Sequence, residues 1–352
     1  MKRDERGFTR RELIAAGSAA AAAVLCGLPS LRVFAKQPMC IDVHAHLWTP
    51  EYLDLVQSFG KTDTNTQRNN GAGTTPAEMD KRFATMDAAR VDLQVLSIAP
   101  QAPQFENKDH AVTAAHKAND LYADAVRRWP KRLAAFGALP LPHVDESLKE
   151  IDRALGQLGL LGINFTTDIL GRSIADPAFD PVYEELNRRG STIFVHPMGT
   201  SAYSPLIADY GVTWMIGAPI EDTVAVAHLI TRGIPSRFPK LKIITAHVGG
   251  ALPLLLNRMD SVSTWEDPGI PEKPSVAARR MWYDTVNYAD IPGLRDAVQV
   301  LGADRLVLGT DFPYEAGDVY QRAVSFIRNS GLKPQDVNRI LDGNASGVLG
   351  LS

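Results

Sequence analysis

Two histidines stand two residues apart at the end of the short apolar run Ile41-Asp42-Val43-His44-Ala45-His46. Such a run reads as a β-strand, whose alternation puts His44 and His46 on one face, about 7 Å apart along the backbone. Two imidazoles so placed can grip one divalent metal; the plain alternative is a pair of polar residues on a solvated strand face. Three more residues of metal-capable type close strand-like runs: His196 after Thr192 to Val195, His247 after Lys242 to Ala246, and Asp311 after Leu306 to Thr310. The remaining histidines, His110, His116, His143 and His228, lie away from strand ends. His116 and His228 fall in helical patterns and read as surface or packing residues, and His143 follows a Leu-Pro-Leu-Pro turn.

The elements that must position these residues alternate along the chain. Eight apolar runs read as strands: Ile41 to His46, Leu93 to Ile98, Leu133 to Leu139, Leu160 to Phe165, Thr192 to His196, Lys242 to His247, Trp282 to Val286 and Leu306 to Asp311. Between them lie amphipathic helical patterns such as Pro76 to Ala89, Lys108 to Arg128, Ser147 to Leu158, Pro181 to Arg189 and Ile220 to Arg232. Strand and helix in strict alternation favour an α/β fold of the (β/α)8 TIM-barrel type. A doubly wound open sheet competes, but no Gly-x-Gly-x-x-Gly follows the first strand. In a barrel every C-terminal strand end faces one mouth, so the five residues are expected to converge there. Glu51 to Thr75 reads as a long loop and candidate lid, and Ser261 to Pro274 as a second long loop.

At 352 residues the chain has ample material for a core. A net charge of −3 gives no reason to expect nucleic acid. Residues 1–35 read as a leader: Arg10-Arg11 precede a soft Ala-rich stretch and Val33-Phe34-Ala35 offers a cut site. The paired arginines resemble the twin-arginine export signal, which implies a periplasmic or secreted protein with one domain over residues 36–352; a membrane anchor is the alternative. Of the two cysteines, Cys26 lies in the leader, leaving Cys40 without a disulfide partner.

The strand-end motifs Ile41 to His46, Phe194-Val195-His196-Pro197, Ala246-His247-Val248-Gly249-Gly250 and Leu308-Gly309-Thr310-Asp311-Phe312-Pro313 resemble the signature strands of the amidohydrolase superfamily. Within it the resemblance is to the branch of 2-amino-3-carboxymuconate-6-semialdehyde decarboxylase, and extends over Trp129 to Arg132, Phe136 to Pro140, Asp180 to Glu184 and Arg237 to Lys242. It implies that His44, His46, His196 and Asp311 bind one metal, usually zinc with manganese as the alternative, and that His247 is the general acid/base. Chemistry agrees, since three imidazoles and one carboxylate leave a divalent ion net positive, which favours ionised water near neutral pH, while an imidazole passes protons both ways there. Binuclear members carry a modified lysine at the end of strand 4. Ile163-Asn164-Phe165-Thr166 has none, so one metal is expected, with Asn164 lining the pocket.

Two positions depart from that branch or need placing. Met198 stands where the decarboxylases typically have an aromatic after His-Pro, replacing a flat wall by a flexible thioether. The family's carboxylate-holding arginine from the segment after strand 1 corresponds to Arg68, with a solvated loop charge as the alternative. The resemblance thus implies decarboxylation of a small unsaturated or aromatic carboxylate by a protein that commonly dimerises. Hydrolysis or hydration by the same metal-activated water is a second reading, and a binding barrel without turnover a third.

Overall fold

Eight parallel strands form one sheet in which each strand pairs with its neighbour in the sequence. They are β1 (Ile41–His46), β2 (Leu93–Ser97), β3 (Leu133–Ala138), β4 (Gly162–Thr166), β5 (Thr192–His196), β6 (Lys242–Thr245), β7 (Trp282–Asp284) and β8 (Leu306–Val307). Val43 N–H donates to Leu308 O at 2.9 Å and His46 N–H to Phe312 O at 2.7 Å, bringing the eighth strand back to the first. This is the expected (β/α)8 barrel. The computed structural model describes residues 39–351 apart from Asp63 and Ala72, so the leader lies outside the described residues.

Helices cover the outside, and their ends follow from local sequence. Helix Pro76–Ala89 begins with a reciprocal cap, Thr75 Oγ1 accepting from Glu78 N–H while Glu78 Oε2 accepts from Thr75 N–H, with Pro76 in the first turn. Helix Lys108–Arg128 is capped by Asn107 and buries a stripe of Ala111, Ala114, Ala115, Ala118 and Ala125 together with Tyr122, the alanines letting it lie close on β3. Because helices cover one face of the strands and the barrel interior the other, β1 to β5 are buried along their whole length.

The interior cluster contains Ile41, Val43, Val95, Phe136, Phe194, Ile244 and Val307, joined by Ala345, Val348 and Leu349 of the C-terminal helix Asn344–Leu349. Ala45, by contrast, packs with the outer cluster. The reason is a register shift of β1 against β2 between Asp42 and Ala45, a bulge that changes which residues face inward within one short strand.

Two loop expectations are corrected. The stretch after β1 holds helix Pro50–Ser58, started by the Thr49 cap with Pro50 and anchored by buried Tyr52, Leu53 and Val56, and the short helix Asn65–Asn69. Helix Leu252–Glu266 likewise runs into the second predicted loop, leaving irregular chain only from 267 to 273. Polar residues outnumbered the apolar anchors in both stretches and masked the helical spacing.

Candidate metal centre

The site begins with the β1 bulge. Buried Asp42, on the side away from the mouth, accepts from Gln94 Nε2 (2.9 Å), Thr310 N (3.0 Å) and Thr310 Oγ1 (2.6 Å). Arg82 extends this network, donating to Gln94 Oε1 at 2.9 Å and to His46 O at 2.6 Å. Asp42 thereby ties the end of β8 to β1 and sets Asp311 against His44, whose carbonyl accepts from Asp311 N–H at 2.8 Å. Asp311 and His247 both adopt left-handed backbone, at φ 55° and 49°. Such conformations are uncommon outside glycine and cluster at functional sites.

All five predicted strand-end residues meet. His44 Nε2 lies 3.2 Å from His46 Nε2, and Asp311 Oδ1 lies 3.2 Å from His44 Nε2 and 3.0 Å from His46 Nε2. The rings of His44 and His46 lie 4.9 and 4.7 Å from that of His196. Their other nitrogens are engaged behind them. His44 Nδ1 faces Asp284 Oδ2 at 2.6 Å, His46 Nδ1 faces Ser97 O at 3.2 Å, and His196 Nδ1 faces Pro197 O at 2.8 Å. An imidazole that donates from Nδ1 presents a lone pair at Nε2, and His196 Nε2 is buried with no hydrogen-bond partner. Three lone pairs and a carboxylate are thus gathered at one point, an arrangement that repels itself unless a cation sits between. Their spacing fits the edge of about 3.4 Å expected for a tetrahedron with ligand bonds of about 2.1 Å.

Electrostatics point the same way. Burial and the neighbouring imidazoles hold His196 well below its ordinary pKa, keeping it neutral. Burial pushes His44 down, but the carboxylates of Asp284 and Asp311 outweigh it and pull its pKa up to about 9, so without a metal a proton occupies the cluster. Burial pushes Asp311 up, yet His44, His247 and His46 hold its carboxyl well below the usual range. His247 stands slightly apart, its Nε2 3.7 Å from Asp311 Oδ2. His44, His196, His247 and Asp311 nevertheless each bring a ligand atom within 4.8 Å of the others.

Two buried carboxylates that the sequence did not single out hold this group. Asp222, inside helix Ala218–Thr231, accepts from His247 Nδ1 at 2.8 Å. Asp284, at the end of β7, also accepts His247 N–H at 2.9 Å through its other oxygen. Asp284 stood in the predicted strand Trp282 to Val286, where a carboxylate in an apolar run was the available signal; Asp222, in mid-helix, left none.

The other candidates lie off the centre. Arg68 pairs with Asp54 at 2.8 Å and donates to Gln57 and Thr64, and does not line the cavity over the cluster. Asn164 donates to Phe165 O and Phe194 O, with its Oδ1 buried and without a partner, and Met198 packs against the core. Neither lines that cavity. His110 stacks on Phe59, His116 pairs with Glu150, His143 contacts Phe105 O and His228 contacts Ser173, all elsewhere. A cavity of about 820 Å³ opens above the centre, with His196, His247 and Asp311 at its floor and Thr66, Trp214, Tyr288 and Tyr314 among its walls.

A parallel barrel with imidazoles and a carboxylate gathered at its C-terminal mouth defines a class of protein that works on small molecules from its loops. Residues 41–351 match the family described as Amidohydrolase, and the chain belongs to it. It is 28% identical over 285 residues to a 2-amino-3-carboxymuconate-6-semialdehyde decarboxylase of Dictyostelium discoideum, covering 77% of this chain and 76% of that one. Among solved structures, the 5-carboxyvanillate decarboxylase of Sphingomonas paucimobilis superposes with a TM-score of 0.75 and 27% identity, over 89% of this chain and 99% of that one. A dihydroxybenzoic acid decarboxylase from Polaromonas sp., determined with bound manganese, shares the fold at a TM-score of 0.76 and 24% identity, over 89% and 97% of the two chains.

Proposed function

We propose that this protein is a metal-dependent decarboxylase of a small unsaturated or aromatic carboxylic acid. His44, His46, His196 and Asp311 would hold one divalent ion, and His247 would carry the proton. The observation that carries this reading is the pair of His247, which reaches the cavity, with buried Asp222 behind it, beside the cluster of lone pairs at the foot of a cavity of small-molecule size. Three imidazoles and a carboxylate suit zinc, our expectation for the metal, and also accommodate manganese. When bound, the ion supplies a positive charge that fixes the substrate's oxygens.

The chain's own residues account for the proton. Burial pushes His247 down, but Asp222 and Asp311 together hold its pKa well above the ordinary value in the metal-free chain, and Asp222, which holds no metal, favours the protonated ring as the start of the cycle. Asp222 holds Nδ1, leaving Nε2 as the end that faces the cavity floor. His247 gives this proton to the carbon bearing the carboxylate. The bond from that carbon to the carboxylate then breaks, its electrons return to the unsaturated system, and carbon dioxide leaves. The sum is one carboxylate and one proton giving one C–H bond and one carbon dioxide; solvent reprotonates His247.

Hydrolysis, open from the ligands alone, gains nothing from the two relatives at 27–28% identity described above, both named as decarboxylases. The Arg10-Arg11 leader supports export by the twin-arginine route to the periplasm or beyond, and a homodimer is proposed on the resemblance to the decarboxylase branch alone.

The test is carbon dioxide release from a panel of hydroxybenzoates by zinc- or manganese-loaded protein, wild type beside His247→Asn, with products analysed in deuterated water. Turnover lost in a variant that keeps its metal, with deuterium at the former carboxyl-bearing carbon of the wild-type product, is expected. Undiminished turnover by His247→Asn would refute the assigned role.

A further inference from the structure

The wall of the cavity is flat, apolar and seated on the backbone. The Trp214 ring lies against Gly199, where φ is +79° and an added Cβ would meet Trp214 Cζ2 at 2.6 Å. It lies near-parallel to Tyr314, centroids 6.5 Å apart and planes at 25°. Tyr314 is held by Gln67 Nε2 at 2.7 Å and stands edge-on to His46 with centroids 5.6 Å apart. An aromatic surface therefore runs from the metal centre to the mouth. There Met215 and Tyr288, each 72% exposed, continue it.

Charge is the second observation. Among the described residues lining the cavity there is no lysine or arginine, and its carboxylate is Asp311. Arg68, two residues from the lining Thr66, is committed to Asp54. A neighbouring hollow of about 430 Å³ that shares His247, Gly250 and Asn287 adds Asp290 and Asp296. One carboxylate can be received at the cationic floor. A second, further out, would meet apolar carbon and negative field with no counter-charge to replace its water.

We infer that the site takes an acid with a single carboxylate whose remaining body is an extended apolar, aromatic group lying on the Trp214–Tyr314 wall, and that it rejects acids carrying a second carboxylate. This rests on the decarboxylase reading for the fate of the carboxylate and on the cavity itself for the rest. Aromatic stacking and the roughly fourfold tightening per buried methylene both act on the far end of such a molecule.

The experiment is calorimetric titration of the zinc-loaded full chain with 2-hydroxybenzoate, its 4-phenyl derivative and its 4-carboxy derivative, recording carbon dioxide in the same samples. The phenyl acid is expected to bind at least tenfold more tightly than the parent and the dicarboxylate at least tenfold more weakly. In Trp214→Ala the phenyl advantage should fall below threefold. Met215→Lys, at an exposed position, should tighten the dicarboxylate tenfold. A dicarboxylate that binds as well as the phenyl acid, a phenyl advantage that survives Trp214→Ala, or no binding of any acid overturns the inference. Ranked binding without carbon dioxide keeps it and removes decarboxylation; carbon dioxide from the dicarboxylate in preference to the phenyl acid does the reverse.

Discussion

Replacing Asp284 by asparagine should disable the metal centre without touching a proposed ligand. Asp284 is fully buried; one oxygen accepts from His44 Nδ1 at 2.6 Å and the other accepts the N–H groups of His247 and Val286 at 2.9 and 3.0 Å. Asparagine has one carbonyl oxygen to meet three donors. Kept toward the two backbone N–H groups, it turns its amide N–H toward His44 Nδ1, which must then accept. The proton moves to Nε2, and the lone pair offered to the metal is gone. The opposite orientation sets an amide N–H group against two backbone donors and is worse. Changing such an outer partner typically costs 10–100-fold in metal affinity, or about 1.4–2.7 kcal/mol. We expect a loss of that size for zinc, measured by competition with a chromophoric chelator at pH 7.5, with thermal melting of the metal-free variant confirming that it folds. Zinc affinity within threefold of wild type in a folded Asp284→Asn protein would refute the argument that this carboxylate sets the His44 tautomer.

Three further outcomes follow from the same groups. With His44 raised to about 9 in the metal-free chain, the proton must leave when metal binds, so affinity should rise with pH up to about 9 and level off above it. Calorimetry in buffers of different ionisation enthalpy should find about one proton released per metal at pH 7, and none above pH 10. Asp222→Asn removes the carboxylate that holds His247 protonated, so turnover should fall at least tenfold with metal retained, and the activity lost on raising the pH should be lost at a lower pH than in wild type; an unmoved profile would count against this pairing. Cys40 is buried, and burial pushes its thiol up to about 12 against the opposing pull of Arg328; in a Cys26→Ser chain it should resist iodoacetamide at pH 8 for hours and react only after denaturation.

Much of the centre was legible because a barrel imposes one rule on many residues. His44, His46, His196, His247 and Asp311 all sit where strands give way to loops, and parallel strands deliver those positions to one mouth wherever they lie in the chain. The substrate-facing residues were less accessible, because helices and loops project side chains by rotation and not by alternation. Thr66 lines the cavity, but Arg68 follows it by about 200° around the helix Asn65–Asn69 and turns to Asp54. Met198 was read as the wall after His-Pro, yet Glu221 Oε2 accepts from Met198 N–H at 2.9 Å and Gly199 N–H at 3.1 Å, pinning that corner. The flat ring comes from Trp214, further along the same segment.

By itself, the sequence determined the alternation of strand and helix, helical patterns such as Pro76 to Ala89, and which residue types close the strands. All of these depend on neighbours a few residues apart, whose spacing the chain carries directly. Tertiary structure alone decided the inward turn of β1 at its bulge, the pairing of Asp284 with His44 and of Asp222 with His247, and the wall that Trp214 and Tyr314 make. These join residues far apart in the chain, and a hydrogen bond or ring contact that holds only within a few ångströms exists once the barrel has closed and not before.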